Sequence, residues 1–206
     1  MNIVLLGDAA LRLNCLQISS NRIFHAVEPS QLDDIFNKHS VDFLVSYGYR
    51  FIVPRIILDS VNGSAVNLHI GYLPYNRGAH PNLWANLENT PSGVTIHKMT
   101  TGIDKGSILL QEKVHIDNES TFKESYGDLS KSIERLFELH CQKIANNYLP
   151  VFKQEGIGNY HRIIDLKSAE SVLKFGWNTV IKEAKLDYLK LLKSRGYSEL
   201  GCVHEY

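Results

Sequence analysis

The chain has 206 residues, 44% of them apolar and 21% charged, enough for one sizeable core and a small appendage. Its 22 Lys and Arg residues balance 22 Asp and Glu residues to a net charge of +0, which argues against the basic field that neutralises nucleic-acid phosphates or holds an anionic membrane. Small molecules and protein, including a second copy in a homodimer, are the partners this leaves.

The first apolar run, "NIVLLG" at residues 2–7, lacks a preceding positive segment and stops at Gly7-Asp8, so it reads as a core strand and not as a leader or a membrane span. Cys15, Cys141 and Cys202 are odd in number and far apart, which argues against a disulfide framework or a paired-thiolate metal site and fits a reducing, cytoplasmic setting. Residues 23–27 and 41–47 are further short runs of Ile, Val, Leu and Phe. Between them "PSQLDDIFNKHS" carries a helical pattern, with Ser30 as the expected N-cap and Asp33 three positions on. Continuous apolar strands separated by helices predict an α/β fold, a mostly parallel sheet covered on both faces. Right-handed crossovers make it Rossmann-like. No G-x-G-x-x-G follows the first strand, so the fold does not imply a nicotinamide cofactor.

Residues 64–70, 93–99 and 108–116 read as three more strands. "PNLWANLEN" is a short helix with Pro81 at its first position, where the missing N–H costs nothing. From Thr121, apolar residues recur at Phe122, Tyr126, Leu129, Ile133, Leu136, Phe137 and Ile144, the stripe of one long amphipathic helix that Gly127 weakens locally. "KQEGIGNYHRI" at 153–163 reads as a linker or turn, and 183–194 as a last amphipathic helix. The expected organisation is a catalytic domain over 1–150 and a short C-terminal extension over 151–206.

Chemistry concentrates in "NLHIGYLPYNRGAHPNLW". Asn67 and His69, two apart on a strand, project from one face. They stand where the chain turns away at Gly71 to Pro74, the carboxyl end of a strand, where ligands of open α/β sheets bind. An amide that donates to an oxyanion beside an imidazole that moves a proton suits acyl transfer. Asp104, in the glycine-bracketed "TTGIDKG", supplies a carboxylate to orient the imidazole and favour its protonated form. Taken alone, N-x-H is more often a turn-forming or satisfied polar pair than a functional one. His97, in the apolar strand "GVTIHKM", reads as a satisfied core histidine. The nine histidines show no H-E-x-x-H or comparable ligand spacing, so no metal site is expected.

The series N-x-H, L-P-x-x-x-G, P-x-x-W, G-V-T-I-H and D-x-G-x-I-L-x-Q, in this order, resembles the folate-dependent formyltransferases and is closest to their sugar-amine members. The resemblance is strong over about 41–115, weaker over 1–40 and slight after 150. It implies that Asn67, His69 and Asp104 form the catalytic set and that 10-formyltetrahydrofolate is the co-substrate. Tyr49, Arg50, Phe51 and Ile52 would line the pterin pocket, and Thr101 and Gly102 would close its other side; for Phe51 a plain core role fits the residues equally well. Arg77, His80, Asn82 and Trp84 are the expected acceptor wall, with a Gly/Pro turn before a helix as the alternative and Trp84 the most readily buried. Tyr160, His161 and Arg162 resemble a Y-H-R segment of sugar-type relatives. Two departures are Gly71, where many relatives carry serine, and the short region before residue 40.

The implied activity is N-formylation of a small amine, a nucleotide-linked amino sugar for a bacterial surface polysaccharide such as lipopolysaccharide, without nucleic acid or membrane as partner. Glycinamide ribonucleotide as acceptor, hydrolysis of formyltetrahydrofolate, and an inactive folate- or nucleotide-binding regulator are the alternatives.

Overall fold

A computed structural model describes residues 1–17 and 20–197; Cys202 and the last part of the expected extension lie outside them. The strands are β1 (Asn2–Leu6), β2 (Arg22–Ala26), β3 (Phe43–Ser46), β4 (Ala65–His69), β5 (Arg77–Gly78), β6 (Gly93–Lys98), β7 (Ile108–Lys113) and β8 (Tyr160–His161). The α-helices are α1 (Pro29–Lys38), α2 (Arg55–Ser60), α3 (Pro81–Leu87), α4 (Phe122–Ala145) and α5 (Ile181–Ser194). A six-stranded sheet has the order β2-β1-β3-β4-β6-β7, and β5 pairs with β8 in a two-stranded one. The β1–β2, β1–β3 and β3–β4 pairs are parallel. β6 runs antiparallel to β4.

Alternate residues explain the continuous apolar runs. Val4, Leu6 and Leu44 join a cluster with Leu32, Ile57 and Leu58, while Ile3, Leu5, Phe43 and Val45, whose side chains alternate to the other face, are also buried. Compact packing divides the chain into two units. The first comprises Met1–His69, Thr95–Gln111 and Ser132–Gln154, and the second Ile70–Val94, Glu112–Lys131 and the chain from Glu155 onward. The second unit has its own apolar cluster, in which Leu83, Trp84 and Leu87 of α3 pack with Phe122, Ile181, Ala184 and Tyr188.

Local chemistry sets several boundaries away from those expected. α1 starts at Pro29 with Glu28 as its N-cap, because Gln31 Oε1 reaches back to the N–H groups of Val27 and Glu28; Ser30 is already inside the helix. α4 opens on a reciprocal pair, Glu124 N–H to Thr121 Oγ1 and Thr121 N–H to the Glu124 carboxylate. Within 153–163 the structure forms β8, which extends along Arg77–Gly78. Gly7, with φ +86°, allows the turn after β1 to run against the backbone of 47–49: a Cβ there would stand 2.5 Å from the Tyr47 carbonyl oxygen. Cys15 and Cys141 are free thiols.

Candidate active site

Three elements of the first unit converge at the carboxyl end of β4. The parallel pairing of β4 on β3 sets Asn67 beside Ser46, and the antiparallel pairing on β6 sets Asn67 opposite His97 and His69 opposite Thr95. The loop between β6 and β7 then carries Asp104 over both. Asp104 adopts a left-handed backbone, φ +51°, a conformation that Asp tolerates better than most residues. Gln154 Nε2 pins this loop by donating to the carbonyls of Asp104 at 2.7 Å and Gly106 at 2.8 Å.

The two oxygens of Asp104 are divided among three side chains. Oδ1 accepts from Asn67 Nδ2 at 3.2 Å and lies 3.3 Å from His97 Nε2, while Oδ2 lies 3.5 Å from His69 Nδ1. His97 Nδ1 stands 2.8 Å from the Lys98 carbonyl, which as an acceptor requires the proton on Nδ1. In the neutral ring Nε2 is then the acceptor for Asn67 Nδ2, 3.2 Å away. The His69 and His97 rings meet edge-on at 6.4 Å. Both histidines are buried and Asp104 nearly so, so these dipoles act in a medium far less polarisable than water. An amide donor, an imidazole and a carboxylate held this way can stabilise charge on a carbonyl oxygen and handle a proton.

Asn67, His69 and Asp104 were legible as a set in the sequence; the place of His97 beside them was not. It is buried and hydrogen-bonded, as a core histidine should be, yet its Nε2 meets the Asn67 amide and faces Asp104. Only the antiparallel register reveals this, and that register depends on a pairing between residues 30 apart.

The segment after β3 also belongs to the first unit. Phe51 is 43% exposed and Ile52 70% exposed, which removes the core reading for Phe51. Arg50 is exposed too. Tyr49 packs edge-on against Phe51, with centroids 5.5 Å apart, and touches the apolar cluster that also receives Met99, immediately before the 100–104 loop. Its buried hydroxyl lacks a hydrogen-bond partner among the described residues, and desolvation, with Glu28 and Asp33 nearby, pushes its pKa up. In the 100–104 loop Thr101 is exposed and Gly102 half-buried, and the Gly102 N–H donates to Thr100 Oγ1. An exposed aromatic and aliphatic pair beside a buried, unanswered hydroxyl fits a planar ligand with polar edges.

The four acceptor-wall residues lie in the second unit. Arg77, in β5, is half-buried. His80 caps α3 with a left-handed backbone, φ 54°, and its ring lies 5.5 Å from that of Trp177. Asn82 is only 6% exposed. Its Nδ2 donates to the Phe122 carbonyl and Ser125 Oγ, so this side chain fastens α3 to the start of α4 instead of facing a ligand. Trp84, 2% exposed, stacks on His161 at 4.1 Å and is likewise interior. Tyr160 and His161 form β8 against Arg77 and Gly78, while Arg162 turns away to Asp165.

Comparison with known proteins gives this geometry a family. The formyl transferase profile matches residues 18–137. The formyltransferase PseJ from Anoxybacillus kamchatkensis, solved in complex with UDP-4,6-dideoxy-4-formamido-L-AltNAc and tetrahydrofolate, is 34% identical, with 89% of this chain and 97% of that one covered and a TM-score of 0.80. A 4-N formyltransferase from Francisella tularensis shares the fold at 23% identity and a TM-score of 0.71, over 93% of this chain and 87% of its own. Methionyl-tRNA formyltransferase of Rickettsia canadensis is 33% identical over 134 residues, 63% of this chain and 43% of its own. The chain thus spans less than half the length of the curated relatives it matches. With more than half of its residues inside the family profile, the chain belongs to the formyl transferase family.

Proposed function

We propose that the protein transfers the formyl group of 10-formyltetrahydrofolate to the amine of a nucleotide-linked amino sugar. The observation that carries this reading is the convergence of Asn67, His69 and Asp104 on one another in a chain of this family. As the amine nitrogen adds to the formyl carbon, negative charge builds on the formyl oxygen, and its donors are the His69 imidazole and an Asn67 N–H that exchanges Asp104 or His97 for the ligand. An aimed donor of this kind contributes about 3 kcal/mol. The carbon–nitrogen bond to the folate then breaks. The proton released by the amine passes through Asp104, directly or by way of water, and the departing folate nitrogen takes one up. Asp104 keeps the donors aimed and accepts the proton. His97 acts on these groups as a positioning residue.

The pterin end of the folate has its best-fitting surface at Tyr49, Arg50, Phe51 and Ile52, with Thr101 and Gly102 opposite. Phe51 and Ile52 offer apolar contact where the core has no use for them. For the acceptor, Arg77 can pair with a phosphate and His80 can offer a ring or a hydrogen bond; Asn82 and Trp84 support them from behind. The sugar class is supported by PseJ, whose complex contains a UDP-linked 4-formamido sugar, and by the even charge balance. The same reading puts the enzyme in the cytoplasm and its product on the way to a bacterial surface polysaccharide. Among the described residues no helix is long and apolar enough to cross a membrane.

The test is formyl transfer from 10-formyltetrahydrofolate to a panel of UDP- and dTDP-linked 3-amino and 4-amino sugars, glycinamide ribonucleotide and charged initiator tRNA. Turnover confined to amino sugars is the expected result. Efficient formylation of the tRNA, or of glycinamide ribonucleotide without sugar turnover, would defeat the reading.

A further inference from the structure

β5 and β8 are two residues each, far too short for a sheet to hold itself together. The backbone contributes two cross-strand hydrogen bonds beside the ladder, Arg77 N–H to the Asn159 carbonyl at 3.2 Å and Ala79 N–H to the His161 carbonyl at 2.8 Å. What fixes them is buried beneath. Glu88, one residue past α3 and with a side chain only 2% exposed, accepts from Asn159 Nδ2 at 2.7 Å and faces His161 Nε2 at 3.2 Å. Since a carboxylate oxygen can only accept, this contact is a hydrogen bond when Nε2 carries the proton. Asn159 also reaches β5 directly: its Oδ1 accepts the Asn76 N–H, and its Nδ2 donates to Asn76 Oδ1 at 3.0 Å. Asn76 Nδ2 passes the chain on to Thr90 Oγ1 at 2.7 Å. The His161 ring lies flat on Trp84, with planes 10° apart.

A buried polar contact is a poor source of net stability, because desolvation offsets most of the attraction, but leaving one half of it unanswered is costly and its geometry is demanding. The network therefore has more to do with where a segment stands than with whether the unit folds. The segment in question is Asn76 to His80, which includes Arg77. Its path is crowded as well as bonded: Gly78, at φ +87°, passes so near β8 that a Cβ would lie 2.2 Å from the His161 carbonyl oxygen.

We propose that Glu88 and His161, joined through Asn159, are positioning residues that latch the Tyr160–His161 strand onto Arg77–Gly78 and thereby hold Arg77 for the acceptor. The part that concerns the acceptor rests on the function proposed above; the latch itself does not. Loss of one such buried contact exposes the segment to local opening, and a contact worth on the order of 1.4 kcal/mol corresponds to a tenfold change in an equilibrium.

The experiment uses the full chain with His161→Phe, which keeps a ring on Trp84 but removes Nε2, and with Glu88→Met, which keeps the length but removes the oxygen that accepts from Asn159 and faces His161. Two readouts are taken. Amide hydrogen exchange at Arg77 and Ala79 should accelerate about tenfold or more in both variants, while amides of β1 and β3 stay unchanged. In steady-state transfer the KM for the amino-sugar nucleotide should rise about tenfold, with the KM for 10-formyltetrahydrofolate within about twofold of wild type. Unchanged exchange at Arg77 and Ala79 in the two variants overturns the latch. Faster exchange with an unchanged acceptor KM overturns the positioning of Arg77. A wild-type enzyme that formylates no amino sugar overturns the functional reading instead, and the exchange data then decide the latch on their own. Should His161→Phe fail to fold, Glu88→Met carries both readouts.

Discussion

Asp104 divides its carboxylate between the two groups proposed to act on the formyl oxygen, Oδ1 toward Asn67 and Oδ2 toward His69. Two substitutions at this scale have opposite chemistry and the same expected outcome. Asn67→Ala removes an aimed donor, and Asp104→Asn replaces a proton acceptor with an amide that also donates toward His69. Each should lower kcat by about a hundredfold or more while leaving the far-ultraviolet circular dichroism and thermal midpoint near wild type. Near-normal turnover in either purified variant would remove it from the proposed machinery. The two-residue spacing of Asn67 and His69 already places them on one face of a strand, so that part of the set was readable from sequence. His97 was not, since nothing local in "GVTIHKM" says which residue of which strand it will face. Asn82 misled for a related reason: an amide beside a proline-opened helix looks available, and only the packing of α3 on the start of α4 shows Phe122 and Ser125 as its partners.

At the scale of elements, apolar runs and helical stripes located the six strands of the main sheet and all but one of the α-helices, α2 being too short to show a period. Boundaries moved where side chains cap the chain, as Glu28 and Gln31 do at α1. The T-x-x-E at Thr121–Glu124 is a capping signature that could have been read in advance. β8 could not, because two residues carry no periodicity and their pairing with Arg77–Gly78 joins segments about eighty residues apart. That pairing makes Gly78→Ala a sharp test. The new methyl group would collide with the His161 carbonyl and the backbone would remain at φ +87°, so we expect a loss of about 2 kcal/mol or more in urea unfolding. No loss would mean the strands are not in contact. α5 yields a second expectation. Burial, with the Glu88 charge nearby, pushes the Tyr188 hydroxyl up to about 12, whereas an unfolded tyrosine titrates near about 10. The folded state therefore binds more protons in that window: the contribution is intact below about pH 10 and is lost as pH rises through about 12. Stability of Tyr188→Phe, measured against wild type from about pH 9 to about pH 12, should lack that part of the fall.

For the whole molecule, charge bears on the acceptor: a net charge of +0 gives little attraction for a polyanion. Among the described residues no group of three or more His, Cys, Asp or Glu side chains is arranged to hold a metal ion, and the proposed donors are side chains of the protein itself. Because side-chain donors of this kind need no Lewis acid, exhaustive chelation should leave the transfer rate unchanged. Activity lost on chelation and restored by a divalent ion would require a different chemistry. Transfer of the formyl group to an amine and not to water can be measured directly. The enzyme is incubated with 10-formyltetrahydrofolate labelled in its formyl carbon and with a UDP-linked 4-amino-4,6-dideoxy sugar, and the label is followed by nuclear magnetic resonance. A sugar formamide signal should grow in step with tetrahydrofolate release, absent without the sugar and nearly absent with Asp104→Asn. Label appearing as free formate at the same rate with or without the sugar would contradict transfer to the amine.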